Sequence, residues 1–344
     1  MAKLKILKTS YLKRKIKSFF VKIFLLDYRL KKRKESNNLL IVTMDALGDN
    51  IVKSKTIEIL VNEYGKDNTY ILCKNKWKVL YEIQEYKNIF VDETKWNIFY
   101  KIKLYRKLNK IGFDKVAILN HSYLPEEMEY IYSGKKYDTS IAVSYILEKH
   151  IYLLENILNR KFNLDDIKPN ITKYFSQTKY KDIIIVAVGS AGDEKTPTYE
   201  NYKKYIEILL KEFKGKDIYL LGSGKKQKVT ANKLEEEFKN KFIKNMVDKL
   251  ELQDVMQTIK DSELFVGPDS GLYNIAFALN KKIICLHWYK DKSMWEHPSE
   301  NIIILKGNGE SNILDKKEKY GTPTLNSISK EQFEESVLKI MGKY

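Results

Sequence analysis

Residues 265 to 286, FVGPDSGLYNIAFALNKKIICL, constrain the fold of this chain more than any other stretch. An apolar run stops at Gly-Pro-Asp-Ser-Gly, a helical period follows at once, and a second apolar run closes the stretch. That order spells strand, tight turn, helix and return strand, the βαβ unit of a parallel sheet. Ligands of such sheets bind at the turns on the carboxyl ends of the strands.

Two series of alternating strands and helices surround this unit. The first reads as strands at 38–43, 70–73, 89–91 and 115–120, with helices from about residue 50 and over 96–109. Residues 122–160 look helical, and 161–181 are polar and poorly periodic, as a linker is. The second series restarts with IIIVAV at 183–188 and continues through helices at 199–213, 227–238 and 252–259, a strand at 218–221, and the βαβ unit. Ser329 and Gln332 then form a capping box for a last amphipathic helix. The expected fold class is α/β, two Rossmann-like βα domains facing each other across a cleft. The expected divisions are a basic N-terminal segment over 1–36, an acceptor domain over 37–165, a linker over 166–181, a nucleotide-sugar domain over 182–328 and a C-terminal helix over 329–344. With 344 residues, of which 43% are apolar, two cores can be filled.

The charge is local. Residues 3–34 hold thirteen Lys and Arg against one acid, Asp27, and so account for twelve of the seventeen net positive charges. Apolar residues recur between them at three- and four-residue steps, the pattern of an amphipathic helix that lies on an anionic bilayer or packs on the fold with a solvated basic face. Lys22, Asp27 and Arg29 interrupt the apolar run, so neither a transmembrane span nor a signal peptide is expected. Nucleic-acid binding is disfavoured, because no second basic and aromatic platform exists. Cys73 and Cys285 each fall in a buried strand, which fits a reducing, cytoplasmic setting, and no spacing among Cys and His suggests a structural zinc site. No metal site is expected.

Three turns of the second series suit phosphate recognition. In the first, Ser270, Gly271 and Leu272 open a helix whose amides and dipole favour an anion, while Asp269 either caps the helix or accepts from sugar hydroxyls. The turn GSAGDEKTP places Gly189 and Ser190 beside Lys195, which can reach phosphate oxygens. The turn LLGSG brings Gly222, Ser223 and Gly224 close to a nucleotide. In the first series TMDALGDN ends a strand, where Asp49 either acts as a general base or caps a helix, with Asp45 competing for both roles.

DALGDN, the lysine turn, LLGSG and GPDSGLYNIAFAL together resemble, in order and approximate spacing over residues 38–305, the lipopolysaccharide heptosyltransferases of the ninth glycosyltransferase family. The resemblance implies the GT-B fold and an inverting, metal-independent transfer of a heptose or hexose-type sugar from a nucleotide diphosphate. The acceptor it implies is a lipopolysaccharide, lipooligosaccharide or other lipid-linked glycan, at the cytoplasmic face of the inner membrane. No resident cofactor is implied, the nucleotide sugar, ADP-linked in the family, being a co-substrate. Asp49 matches the general base, Lys195 the lysine on the donor phosphates, and Asp269, Ser270, Gly271, Leu272 and Asn274 the donor motif. Asp45, Asn120 and His121 are the acceptor-side candidates. The chain departs from the family pattern at Asn274, where a His is usual, and at Thr196-Pro197-Thr198, where Arg-Trp-Pro is usual. It departs again at Gln227, near the usual acidic ribose ligand, and at His287-Trp288-Tyr289, where a Gly turn is usual. These departures weigh against ADP-heptose as the donor while leaving the reaction class standing. A non-catalytic nucleotide-sugar-binding or scaffold protein is the alternative they allow.

Overall fold

The computed structural model describes residues 15–30, 36–93, 97–121, 125–132, 134–310 and 320–342. The described residues form two compact units: one from Met1–Asp45, Lys55–Ala142 and Lys149–Ile167, the other from Ala46–Ser54, Val143–Glu148 and Lys168–Tyr344. The helix Leu47–Val52, read in sequence as part of the first domain, thus packs with the second unit.

The first unit holds an all-parallel sheet of β1 (Leu39–Thr43), β2 (Thr69–Lys74), β3 (Asn88–Asp92), β4 (Lys115–Ile118) and β5 (Lys135–Asp138) in the order β3-β2-β1-β4-β5. The second unit holds β6 (Ile183–Ala187), β7 (Asp217–Leu221), β8 (Ile243–Asn245), β9 (Leu264–Pro268), β10 (Ile283–Leu286) and β11 (Ile302–Leu305), also parallel, in the order β11-β10-β9-β6-β7-β8. Every residue of β1, β6, β9 and β10 is buried, which is why these strands read as unbroken apolar runs: helices cover both faces of a parallel sheet.

The order in which strands are added reverses once in each sheet, between β1 and β4 in the first and between β6 and β9 in the second. At such a switch point the loops leaving the two central strands diverge and open a crevice at their carboxyl ends. The turns TMDALGDN, GSAGDEKTP and GPDSG leave β1, β6 and β9 at these switch points, and the turn LLGSG leaves the neighbouring β7.

Residues 122–160 are not one helical stretch. A 3-10 turn over Glu126–Tyr130 and the edge strand β5 precede the helix Ile146–Leu158. The polar sequence of β5, KKYD, pairs on one side only, so it carries no apolar signature. Strands β8, three residues long, and β11 are two further strands that the sequence pattern does not predict. The capping box at Ser329 and Gln332 is present, with hydrogen bonds of 3.1 and 2.9 Å.

Residues 15–30 are helical apart from a turn at 25, and one face of this helix, through Val21 and Leu25, enters the core of the first unit. Residues 3–14 and 31–34 of the basic segment lie outside the described residues. Among the described residues no helix is long and apolar enough to cross a membrane.

Candidate active site

In the second unit the switch point brings the loop after β6 against the loop after β9. The Ser190 hydroxyl donates to the carbonyl of Asp269 at 3.1 Å, and Lys195 Nζ lies 2.7 Å from Asp269 Oδ2. Asp269 is buried, and Lys195 is the more exposed partner. A buried carboxylate needs a counter-charge, and the partly exposed Lys195 supplies it. Lys195 Nζ also sits 5.3 Å from the centre of the Trp288 ring, in cation–π range.

Asp269 does not cap the helix Gly271–Ala278. Ser270 does, its side chain accepting from the amide of Tyr273 at 3.4 Å. The first amides of a helix have no partner within it, so those of Gly271 and Leu272 are the donors an anion meets at this end. The Asp269 carboxylate that would repel such an anion is neutralised by Lys195.

The two other glycine turns are tied to each other by Gln227. Its Oε1 accepts from the amide of Ser223 at 2.9 Å, and its Nε2 donates to the carbonyl of Ser190 at 3.1 Å. A Cβ at Gly222 would lie 2.2 Å from Gln227 Oε1, and one at Gly189 2.9 Å from its Cγ, so both glycines leave room for that bridge. The Gly224 amide is held by both oxygens of Asp248 at 3.1 Å. Thr196, another departure, accepts from the Ser190 amide at 3.1 Å and donates to Gly192. Two of the departures therefore shape the turns from within.

Asn274 is buried and bridges in the same way. Its Nδ2 donates to the carbonyl of Ser270 at 3.0 Å, and its Oδ1 lies 2.7 Å from His297 Nε2. His297 is stacked on Phe277, ring centres 3.8 Å apart and nearly parallel, and its Nδ1 is 3.0 Å from the Tyr145 hydroxyl. Burial pushes the His297 imidazole down to about 3, so it is neutral. No residue spacing announced His297: it lies 23 positions from its partner and reaches it only through the fold.

The helix Leu47–Val52 completes this unit's site. A Cβ at Gly48 would lie 2.6 Å from Asn274 Nδ2 and 3.3 Å from Gly271 Cα, and one at Gly271 would lie 3.1 Å from the Leu47 side chain. The two glycines thus let two helix N-termini meet at backbone distance, with Asp49 following Gly48 in the first of them. Asp49 is half-buried, and its Oδ2 accepts from the Ala46 amide at 3.2 Å, so it does cap its helix.

The first unit's switch point joins the remaining candidates. Asp45 accepts from the Asn120 side chain at 3.0 Å and from the His121 amide at 2.9 Å, and Asn120 Oδ1 accepts from the Met44 amide at 3.1 Å. His121 Nε2 lies 2.7 Å from His150 Nε2. All three candidates are buried. Cys73 and Cys285 are free and buried, the Cys73 thiol pushed up to about 12 by burial.

The family model for glycosyltransferase family 9 (heptosyltransferase) matches residues 136–322, more than half of the chain. The chain belongs to that family. This glycosyltransferase is 21% identical over 281 residues to lipooligosaccharide heptosyltransferase 2 of Campylobacter jejuni, covering 75% of this chain and 84% of the relative. Among solved structures it is similar to E. coli heptosyltransferase WaaC with ADP-2-deoxy-2-fluoro heptose, with a TM-score of 0.67 and 13% identity over 87% of this chain and 98% of the other. It is similar to E. coli ADP-heptose lps heptosyltransferase II as well, with a TM-score of 0.67 and 16% identity over 89% and 99% of the two chains. The glycosyltransferase has the GT-B fold.

Proposed function

We propose that this glycosyltransferase moves a heptose or related sugar from a nucleotide diphosphate to a lipopolysaccharide or lipooligosaccharide core, or to a similar lipid-linked glycan, with inversion and without a metal. The observation that carries the reading is the Lys195–Asp269 pair at the start of the helix Gly271–Ala278. It combines a buried carboxylate, a lysine and unpaired helix amides where the family motif lies. The relatives' names support the donor and acceptor classes: one is a lipooligosaccharide heptosyltransferase, and one solved structure holds a fluorinated ADP-heptose.

The reaction is a single displacement. Asp49 takes the proton of the acceptor hydroxyl as its oxygen bonds to the anomeric carbon, and the bond from that carbon to the diphosphate oxygen breaks. The nucleoside diphosphate leaves with the electron pair, held by Lys195 and the amides of Gly271 and Leu272. Asp269 orients Lys195, and the turns bridged by Gln227 receive the nucleotide. Asp45, Asn120 and His121, bound to one another in the first unit, are the candidate acceptor residues.

Asp49→Asn preserves size and an acceptor for the Ala46 amide but removes the base. It is expected to lower transfer at least ~100-fold while donor affinity stays within about twofold. Undiminished transfer would remove Asp49 from the mechanism. Wild-type activity is expected to survive EDTA, and a loss restored by added Mg²⁺ would overturn metal independence. Tight donor binding with no transfer to any lipid-linked acceptor would instead favour the non-catalytic alternative.

A further inference from the structure

The helix over residues 15–30 has two apolar faces. Ser18, Val21, Leu25 and Tyr28, at steps of three and four, turn inward: Val21 and Leu25 are fully buried, Tyr28 packs on the core, and Ser18 accepts from the Tyr130 hydroxyl at 2.7 Å. On the opposite side Ile16, Phe19, Phe20, Ile23, Phe24 and Leu26 form a second stripe at the same steps, exposed to solvent, Phe19 at 62% and Phe24 at 50%. The inward face and a hydrogen bond from Arg106 to the Phe24 carbonyl, 3.1 Å, anchor the helix on the first unit. Six adjoining exposed apolar side chains on a charged protein mark a surface that meets an apolar phase.

We infer that this outer face docks the enzyme on an anionic lipid bilayer, with Phe19, Phe20, Ile23 and Phe24 seated among the headgroups and upper acyl chains and the helix parallel to the surface. Charge complementarity selects this occupant. Lys15, Lys17, Lys22 and Arg29 lie on the same helix, and Lys13, Arg14 and residues 31–34 extend the basic run at both ends in the sequence. Long basic side chains beside an apolar stripe reach headgroup phosphates while their stems stay in the apolar layer. Asp27 is the one acid among residues 3–34, and Lys22 is paired with Glu129. The inference is independent of the donor chemistry, since no residue of this helix belongs to the proposed site.

The test is co-sedimentation of the full chain with vesicles of phosphatidylglycerol and phosphatidylethanolamine, and with vesicles of phosphatidylcholine alone. The wild type is expected to bind the anionic vesicles, less so at high salt because the charged contribution is screened. A variant carrying Phe19→Ser, Phe20→Ser and Phe24→Ser leaves the buried face intact and is expected to bind at least ~10-fold more weakly. Circular dichroism and nucleotide-sugar binding, both expected unchanged, verify its fold. Equal vesicle binding by variant and wild type overturns the inference. So does a wild type that ignores vesicles and is a dimer that the substitutions dissociate, because a second copy then covers the face. Binding to phosphatidylcholine as strong as to anionic vesicles overturns the choice of an anionic surface.

Discussion

At the residue scale the Lys195–Asp269 pair has two separable consequences. Removing the lysine strips the donor phosphates of a charged partner and leaves a buried carboxylate without its counter-ion. Lys195→Ala is therefore expected to weaken donor binding about 10- to 100-fold and to destabilise the protein by about 3 kcal/mol. Adding Asp269→Asn removes the stranded charge and should recover much of the stability, measured by denaturant melts, without recovering donor affinity by calorimetry. Recovery of affinity in the double variant would mean that Lys195 serves only to neutralise Asp269. Lys195 and Asp269 are each candidate site residues by their turns in the sequence. Their pairing is not legible there, because 74 positions separate them and only the adjacency of β6 and β9 brings them together.

At the element scale the contact between the helices Leu47–Val52 and Gly271–Ala278 depends on two residues lacking a Cβ. Gly48→Ala would push against Asn274 Nδ2, which already donates to Ser270 and cannot retreat without breaking that bond. The expected cost is about 1–3 kcal/mol, the range for overpacking a well-filled contact. Asn274→Ala made together with Gly48→Ala clears the space, so a double-mutant cycle should return a coupling energy of at least about 0.5 kcal/mol. Additive effects would show that the two helices do not meet at this point. The room that the glycine in DALGDN leaves is used by a helix from more than 200 residues away.

For the whole molecule, buried neutral histidines tie stability to pH. His297 is held down to about 3 by burial, and His287 is also lowered by burial, opposed by Asp269 and Glu296. In the unfolded chain such a group binds its proton near pH 6.5, so below that pH the unfolded state carries protons that the native state does not. For His297 stability is therefore expected to fall as pH drops from about 6.5 toward 3, by up to about 1.4 kcal/mol per pH unit, and His287 contributes in the same direction. His297→Gln keeps a polar group near Asn274 but does not titrate, so its slope between about pH 6 and 4 should be shallower by up to that amount. An unchanged slope would show that His297 does not titrate with unfolding.

Local pattern alone determined the α/β class, the two glycine turns that Gln227 bridges, the capping box and the strands buried on both faces. Each of these is written in neighbouring residues, as period, turn chemistry or an unbroken apolar run. Tertiary structure decided what no local window contains. The polar edge strand β5 is a strand because β4 supplies its hydrogen bonds, and Gln227, a departure from the family pattern, becomes a bridge because two turns lie side by side. His297 reaches Asn274, the position where the family usually has a histidine of its own, from a loop remote in sequence. The second apolar face of the basic helix was hidden for the same reason. Periodicity identifies which residues share a side, but burial of Val21 and Leu25 in the first unit's core decides which side is left for a partner.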